Sequence, residues 1–301
     1  MQVLYLNELG ENNSTKELKG LLRKNIENTD RLYMFNLWMI KSVMEFVLTD
    51  SVIRSRKHLA TEEDLNVDKK IAENVLYEAL ASNSKIVRAV KQYKLDELVE
   101  EDLVRKVFNS LKTSEGYKDY LLGDSTLDTH KFIAVYLFEE VMMNNGLYKE
   151  YLEDHFLNFA DDGDLVANNV IETISSYMGD RNKLRIFVCR DGDIEELPDP
   201  LIEECSHRNE ELKEIIAPKL KNWDADRLAL IDMILLKMAV CELLYFPTVP
   251  IKVTINEYID ISKYYSTPKS KDFINGVLDR TMKELKEAGK IEKTGRGLQG
   301  S

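Results

Sequence analysis

The sequence predicts an all-α protein, on three observations. None of its six prolines comes before Pro198, so the first two thirds of the chain lack the strongest helix breaker. Apolar residues recur at three- and four-residue spacing along most of the chain, the period of one helix face. Strand-like alternation is confined to the short run Leu184-Arg185-Ile186-Phe187-Val188.

Taken in order, Leu18, Leu21, Leu22 and Ile26 form one amphipathic stripe. Asn28-Thr29-Asp30 is a helix start signal, and Leu32–Leu48 is then apolar on most faces. Asn36, Lys41 and Glu45 interrupt that run, which marks a buried central helix and not a membrane span. Val99, Leu103, Val107 and Leu111 repeat every four residues. Phe132, Val135, Tyr136, Phe138 and Met142 continue the pattern, and Val166, Val170, Ile171 and Ile174 form a further stripe stopped by Gly179. The stretches Thr61–Asp68, Thr113–Gly116, Asp161–Asp164 and Asp191–Pro200 read as polar connections. The last, with Asp191-Gly192-Asp193 and Pro198-Asp199-Pro200, is the expected domain boundary.

Beyond it, Asp224 is a candidate N-cap after Trp223. Leu228, Ile231, Leu235, Met238 and Leu243 mark a helix to about Phe246. Pro247-Thr248-Val249-Pro250 ends it. Thr254-Ile255-Asn256-Glu257 reads as a capping box for a helix to about Tyr265. Ser266-Thr267-Pro268-Lys269 is a turn, and Ser270 is placed to cap a last helix to about Ala288. Gly276 inside that helix costs propensity, which suggests close approach of another helix. The expected organisation is an acidic helical region over 1–200, a helical domain over 201–289 and a disordered tail over 290–301.

Lys and Arg number 41 against 53 Asp and Glu, a net charge of −12, so the chain does not coat nucleic acid through its overall field and would need a local basic patch. The last forty residues supply one, with nine Lys/Arg against five acids. The plain alternative is a solvated lysine-rich helix that complements its own dipole. Three scattered cysteines, Cys189, Cys205 and Cys241, fit a reducing compartment better than a disulfide framework. Met1 leads straight into Gln2-Val3-Leu4-Tyr5 without a basic leader, so a cytoplasmic, soluble protein is expected. Cys189 with Cys205-Ser206-His207 lacks the four closing ligands of a zinc site, and Asp161-Asp162-Gly163-Asp164 lacks the spacing of a calcium loop. No phosphate loop, GxSxG elbow or HExxH occurs, so neither catalysis nor a metal or cofactor is expected.

Three linked stretches carry a family resemblance. They are Ile231-Asp232 through Ala239-Val240-Cys241-Glu242-Leu243, then P-x-x-V-x-I-N-E at Pro250–Glu257, then S-x-x-F-x-N-G-V-L-D at Ser270–Asp279. In this order and spacing, over about 220–285, the chain resembles the NusB transcription antitermination factors. Gln2-Val3-Leu4-Tyr5 is similar, more weakly, to the Gln-x-Leu-Tyr of that family's first helix. The acidic middle, about 50–200, resembles the long form found in the Bacteroidetes lineage.

The resemblance implies an all-helical fold with a NusB-like bundle at the C-terminus and an extended, acidic helical N-terminal region. It implies a non-enzymatic factor that binds boxA-like single-stranded RNA with the small-subunit ribosomal protein NusE, in a complex with RNA polymerase. It places RNA contacts at Gln2, Tyr5, Lys263, Lys269, Ser270 and Lys271, and partner contacts at Asp226, Asp232 and Phe273. For the partner, an exposed acid beside an exposed aromatic would suit a basic ribosomal protein, whereas core burial of Phe273 beside Val277 is the other reading. The family grips RNA mainly through an arginine-rich run just before Gln-x-Leu-Tyr, and here Gln2 follows Met1 directly. Two explanations stand open: a start codon further upstream, or a member that has lost much of that grip. A protein–protein scaffold of the same fold without RNA binding is accordingly the alternative function.

Overall fold

The apolar stripes become helices in the computed structural model, which describes residues 1–11, 13–180, 183–189, 191–220 and 229–298. The first part of the chain forms α1 (Gln2–Leu6), α2 (Thr15–Ser55), α3 (Glu62–Leu65), α4 (Val75–Ser82), α5 (Ser84–Tyr93), α6 (Leu95–Leu98), α7 (Glu101–Thr113), α8 (Glu115–Leu122), α9 (Leu127–Tyr136), α10 (Gly146–His155) and α11 (Phe159–Ser175). The remainder forms α12 (Asp191–Glu196), α13 (Pro198–His207), α14 (Asn209–Ile216), α15 (Leu230–Tyr245), α16 (Ile251–Tyr265) and α17 (Ser270–Glu287). No strand occurs among the described residues, and no helix among them is long and apolar enough to cross a membrane.

The chain divides into two units, one of residues 25–189 and one of residues 1–24 with 190–301. The first is organised around α2, whose apolar run buries Leu32 through Phe35, Leu37, Met39, Ile40, Val43, Met44 and Val47. A helix apolar on most faces gains by being surrounded, and α4 to α11 supply the covering side chains. Two of the polar side chains on α2 find partners inside. Asn36 donates to the Leu32 carbonyl at 2.8 Å and accepts from the Tyr148 hydroxyl at 2.9 Å. The Tyr33 hydroxyl accepts from the Phe187 amide at 3.3 Å and lies 2.5 Å from Thr173, whose own hydroxyl donates to Asn169.

The Leu184–Val188 alternation is present, with Leu184 and Ile186 buried and Arg185 exposed, but the segment has no strand beside it and stays irregular. Asp161–Asp164, read as a connection, lies instead in the first turns of α11, where acids meet the positive end of the helix dipole. Asp162 is fixed there by Thr29 at 2.6 Å and Asn158 at 2.7 Å.

Burial pushes the Asp30 carboxyl up to about 6, against the opposing pull of the Cys189 amide and with a further push from Glu27. An acid whose folded pKa exceeds its unfolded one opposes folding at neutral pH, and the penalty fades as pH falls through about 6. Asp30→Asn is expected to raise stability at pH 7 by about 1 kcal/mol, discounted for partial exposure. It should also flatten the dependence between about pH 4 and 7, as urea melts at several pH values would read.

The second unit draws on both ends of the chain. Residues 1–24, expected with the acidic region, belong with the C-terminal helices. The physical reason is burial: Leu4 enters the core formed by α13 to α17, and Val3 and Leu18 meet Ile202. The Arg23 guanidinium forks onto Asp199 at 3.1 and 2.7 Å, and Lys19 pairs with Glu203 at 2.7 Å.

The tail, expected to be disordered, is ordered through Leu298. Lys293 donates to the carbonyls of Glu242 and Phe246 at 3.2 and 2.9 Å, and the Thr294 amide donates to the Pro247 carbonyl at 2.9 Å. A cation here meets the negative end of the α15 dipole and shares these carbonyls with the Phe246 and Val249 amides, each at 3.2 Å. Gly297 follows in a 3₁₀ turn, and a Cβ on it would fall 2.0 Å from the Pro247 oxygen, so only glycine permits this approach.

Candidate nucleic-acid interface

The candidate site is built on α15. Every residue from Ile234 to Leu243 is buried, including Lys237 and Glu242, and Asp232 is buried one turn earlier. Buried charges are costly unless hydrogen-bonded, and each of these three reaches a different neighbour. Glu242 accepts from Thr254 at 2.6 Å and Tyr258 at 3.2 Å, both on α16. Burial raises the Glu242 pKa, and these two hydrogen bonds oppose the rise. Lys237 donates to Glu8 and, at 2.8 Å, to Asn209. Asp232 accepts from the hydroxyls of Ser266 at 2.5 Å and Ser270 at 2.8 Å.

This arrangement overturns several local expectations. Thr254 does not cap α16, which starts earlier, at Ile251 after Pro250; its hydroxyl serves Glu242 instead. Ser270 is the first residue of α17, not its cap, and its hydroxyl serves Asp232. Gly276 is exposed and a Cβ on it would meet nothing, so no helix approaches it. The expected cap Asp224 and the expected partner contact Asp226 lie outside the described residues.

The turn between α16 and α17 is thereby pinned from beneath. Ser270 also lies 2.8 Å from both the Ser266 and Thr267 hydroxyls, and its amide donates to the Thr267 carbonyl at 2.9 Å. On the outside of this turn Lys263, Lys269 and Lys271 are all exposed. Lys263 is paired with Asp260 on its own helix, while Lys269 and Lys271 form no ion pair among the described residues. Of the six positions expected to touch RNA, these three lysines are exposed at or beside the α16–α17 turn, where Asp260 and Asp272 are exposed as well. Ser270 is buried beneath them.

Gln2 and Tyr5 are half-buried on α1, which packs with α15 through Leu4 and Ile234. Asp232 and Phe273 are only 5% and 6% exposed, so neither is the exposed acid or exposed aromatic expected for a partner. Asp232 instead shapes the cationic turn. Asp232→Ala should cost about 1.5–3 kcal/mol, the range for hydrogen bonds to a charged acceptor, and should raise amide exchange over residues 266–271. Unchanged exchange there would show that the turn holds without it.

The sequence reading missed Tyr264. On the helical wheel it falls roughly 130° from the buried stripe of Ile251, Thr254, Tyr258 and Ser262, at 100° per residue. It is 78% exposed. That angular displacement was a readable signal. Among the described residues no group of three or more His, Cys, Asp or Glu is placed to hold a metal ion. Cys205 and Cys241 are buried free thiols, and Cys189 is exposed.

The fold and this corner define a class: an all-helical bundle with a rigid cationic turn mounted on a buried central helix. A family model described as the NusB family matches residues 164–283. The chain is 43% identical over 117 residues to the transcription antitermination protein NusB of Salinibacter ruber, covering 39% of this chain and 73% of that protein. It is 51% identical over 83 residues to the NusB protein of Chloroherpeton thalassium, with 28% and 39% covered. It is 46% identical over 82 residues to that of Enterococcus faecalis, with 27% and 53% covered. No solved structure matches. The chain belongs to the NusB family. The family match starts inside α11 and does not reach Gln2 or Tyr5, although α1 belongs to the same unit as the matched helices α12 to α17.

Proposed function

We propose that this chain is a non-enzymatic transcription antitermination factor that binds boxA-like single-stranded RNA on the α16–α17 corner. The small-subunit ribosomal protein NusE and the RNA polymerase complex are its partners in this reading. Family membership supports the general role, and the relatives named above carry it in their names. The observation that carries the RNA assignment is the trio Lys263, Lys269 and Lys271, exposed on a turn whose hydroxyls are fastened to buried Asp232. A turn already fixed leaves only the lysine side chains to be ordered by phosphates, so less backbone entropy is lost on binding. The α17 N-terminus at the same place adds the positive end of a helix dipole.

Gln2 and Tyr5 flank α15 on α1 and are proposed as lesser contacts. A contact of NusE with Asp226, Asp232 or Phe273 would have to run mainly through Asp226, since the other two are buried in the free chain.

The test is a salt titration of binding to a boxA-like RNA and to its scrambled counterpart. Each phosphate contact contributes a slope of about −0.7 in log affinity against log salt, so three lysines predict about −2. Lys269→Glu with Lys271→Glu should weaken binding by about ten- to a hundredfold at low salt and leave the melting temperature unchanged. Equal affinity for the scrambled RNA, with and without NusE, would sink the antitermination reading and leave the scaffold alternative.

A further inference from the structure

We infer that Tyr264 is a base-stacking platform of the cationic corner, taking one unstacked base of a single-stranded RNA whose phosphates lie on Lys263, Lys269 and Lys271. This rests on the RNA-binding reading above and adds to it the residue that would recognise a base rather than the backbone. Tyr264 is the most exposed aromatic ring among the described residues, at 78%. Phe132, the other exposed ring, lies at 53% and is partly covered by Tyr136, with centroids 5.8 Å apart. Tyr264 has no ring neighbour, no cation over its face and no hydrogen bond among the described residues.

A single exposed aromatic is ordinary by itself. Its setting is what matters. Tyr264 directly follows Lys263 in the last turn of α16 and precedes Lys269 and Lys271 across a four-residue turn. That turn is fixed by the Ser266 and Ser270 hydrogen bonds to Asp232, so the ring and the cations share one rigid segment. Single-stranded RNA is held by this pairing of chemistries, charge for phosphate and a π face for each unstacked base. Lysines alone would hold duplex and single strand with little distinction. A free ring beside them favours the strand whose bases are exposed.

The experiment uses the full chain and a fluorescein-labelled 12-nucleotide single-stranded RNA of boxA-like sequence, read by anisotropy. A second RNA of the same length replaces its bases with abasic sites. Tyr264→Ala is expected to weaken binding to the first RNA by about 5- to 100-fold, the range for losing one stacked base. Tyr264→Phe and Tyr264→Trp should retain it, and Tyr264→Ala should leave the weaker binding of the abasic RNA unchanged. Because the ring is exposed, the melting temperature of Tyr264→Ala serves as the folding control and should not fall. If Tyr264→Ala binds the first RNA as tightly as the unsubstituted chain, with salt dependence intact, the stacking inference is overturned while the RNA reading stands. A loss with Tyr264→Phe as large as with alanine overturns stacking in favour of a hydroxyl contact. If the unsubstituted chain binds neither RNA, the RNA reading itself fails and takes the inference with it.

Discussion

Phe273→Ala is expected to lower the unfolding free energy by about 3–5 kcal/mol, the usual cost of truncating a buried aromatic. Phe273 is 6% exposed and belongs to the core that also buries Ile274, Val277 and Leu278 on the same helix. Truncation removes the ring's contacts and leaves a void that α15 and α16 cannot close without shifting. Urea denaturation of the full chain, followed by circular dichroism, would report the loss as a lower midpoint. A melting temperature within a degree of the unsubstituted chain, together with weakened NusE binding, would instead place Phe273 on the partner surface. The competing expectation from sequence is thus decided by one variant.

Lys237→Ala should cost about 3–5 kcal/mol, because it breaks a buried charge pair on one side only. The ammonium lies among apolar residues of α15 and donates to Glu8 and Asn209, and its side chain is 6% exposed against 22% for Glu8. Removing it strands the Glu8 carboxylate and the Asn209 amide oxygen in a small cavity they share with Leu4 and Ile234. Lys237→Met with Glu8→Gln should recover part of the loss, since the stem's packing is kept and no charge is left alone. Additive effects in that double-mutant cycle would show that the pair is not coupled. The expected consequence reaches the N-terminus: the segment Asn7–Glu11 is tied to α15 through this ion pair, so proteolysis there should accelerate in Lys237→Ala.

The helices were legible because helical period is a local property. The Leu32–Leu48 run announces its own burial, being apolar on most faces, and so does the stretch around Leu235 and Met238. The cationic turn was legible for the same reason: Lys263, Lys269 and Lys271 lie within nine residues of one another, and proline at 268 breaks the helix between them. Tyr264 was missed although its angle on the wheel sets it apart from the buried stripe of α16.

Other features depend on partners far away in the chain. Thr254 and Ser270 each had a good local reading as helix caps, and each was outbid by a buried carboxylate, Glu242 or Asp232, at least twelve residues distant. Leu184–Val188 alternates as a strand should, yet a strand needs a neighbour's backbone, and no strand occurs among the described residues. Lys293 counted as one more cation of a loose tail, while in the fold it caps the carbonyls of α15.

By itself, then, the sequence determined the helical class and the central buried helices, since each follows from residues within a few turns of one another. Only the tertiary structure decided which polar side chains face inward, that the first residues join the C-terminal unit, and that Phe273 is core. The polar outcomes are set by competition between a local hydrogen bond and a distant buried partner that is stronger in a low-dielectric interior, the apolar ones by surface removed from water against distant helices.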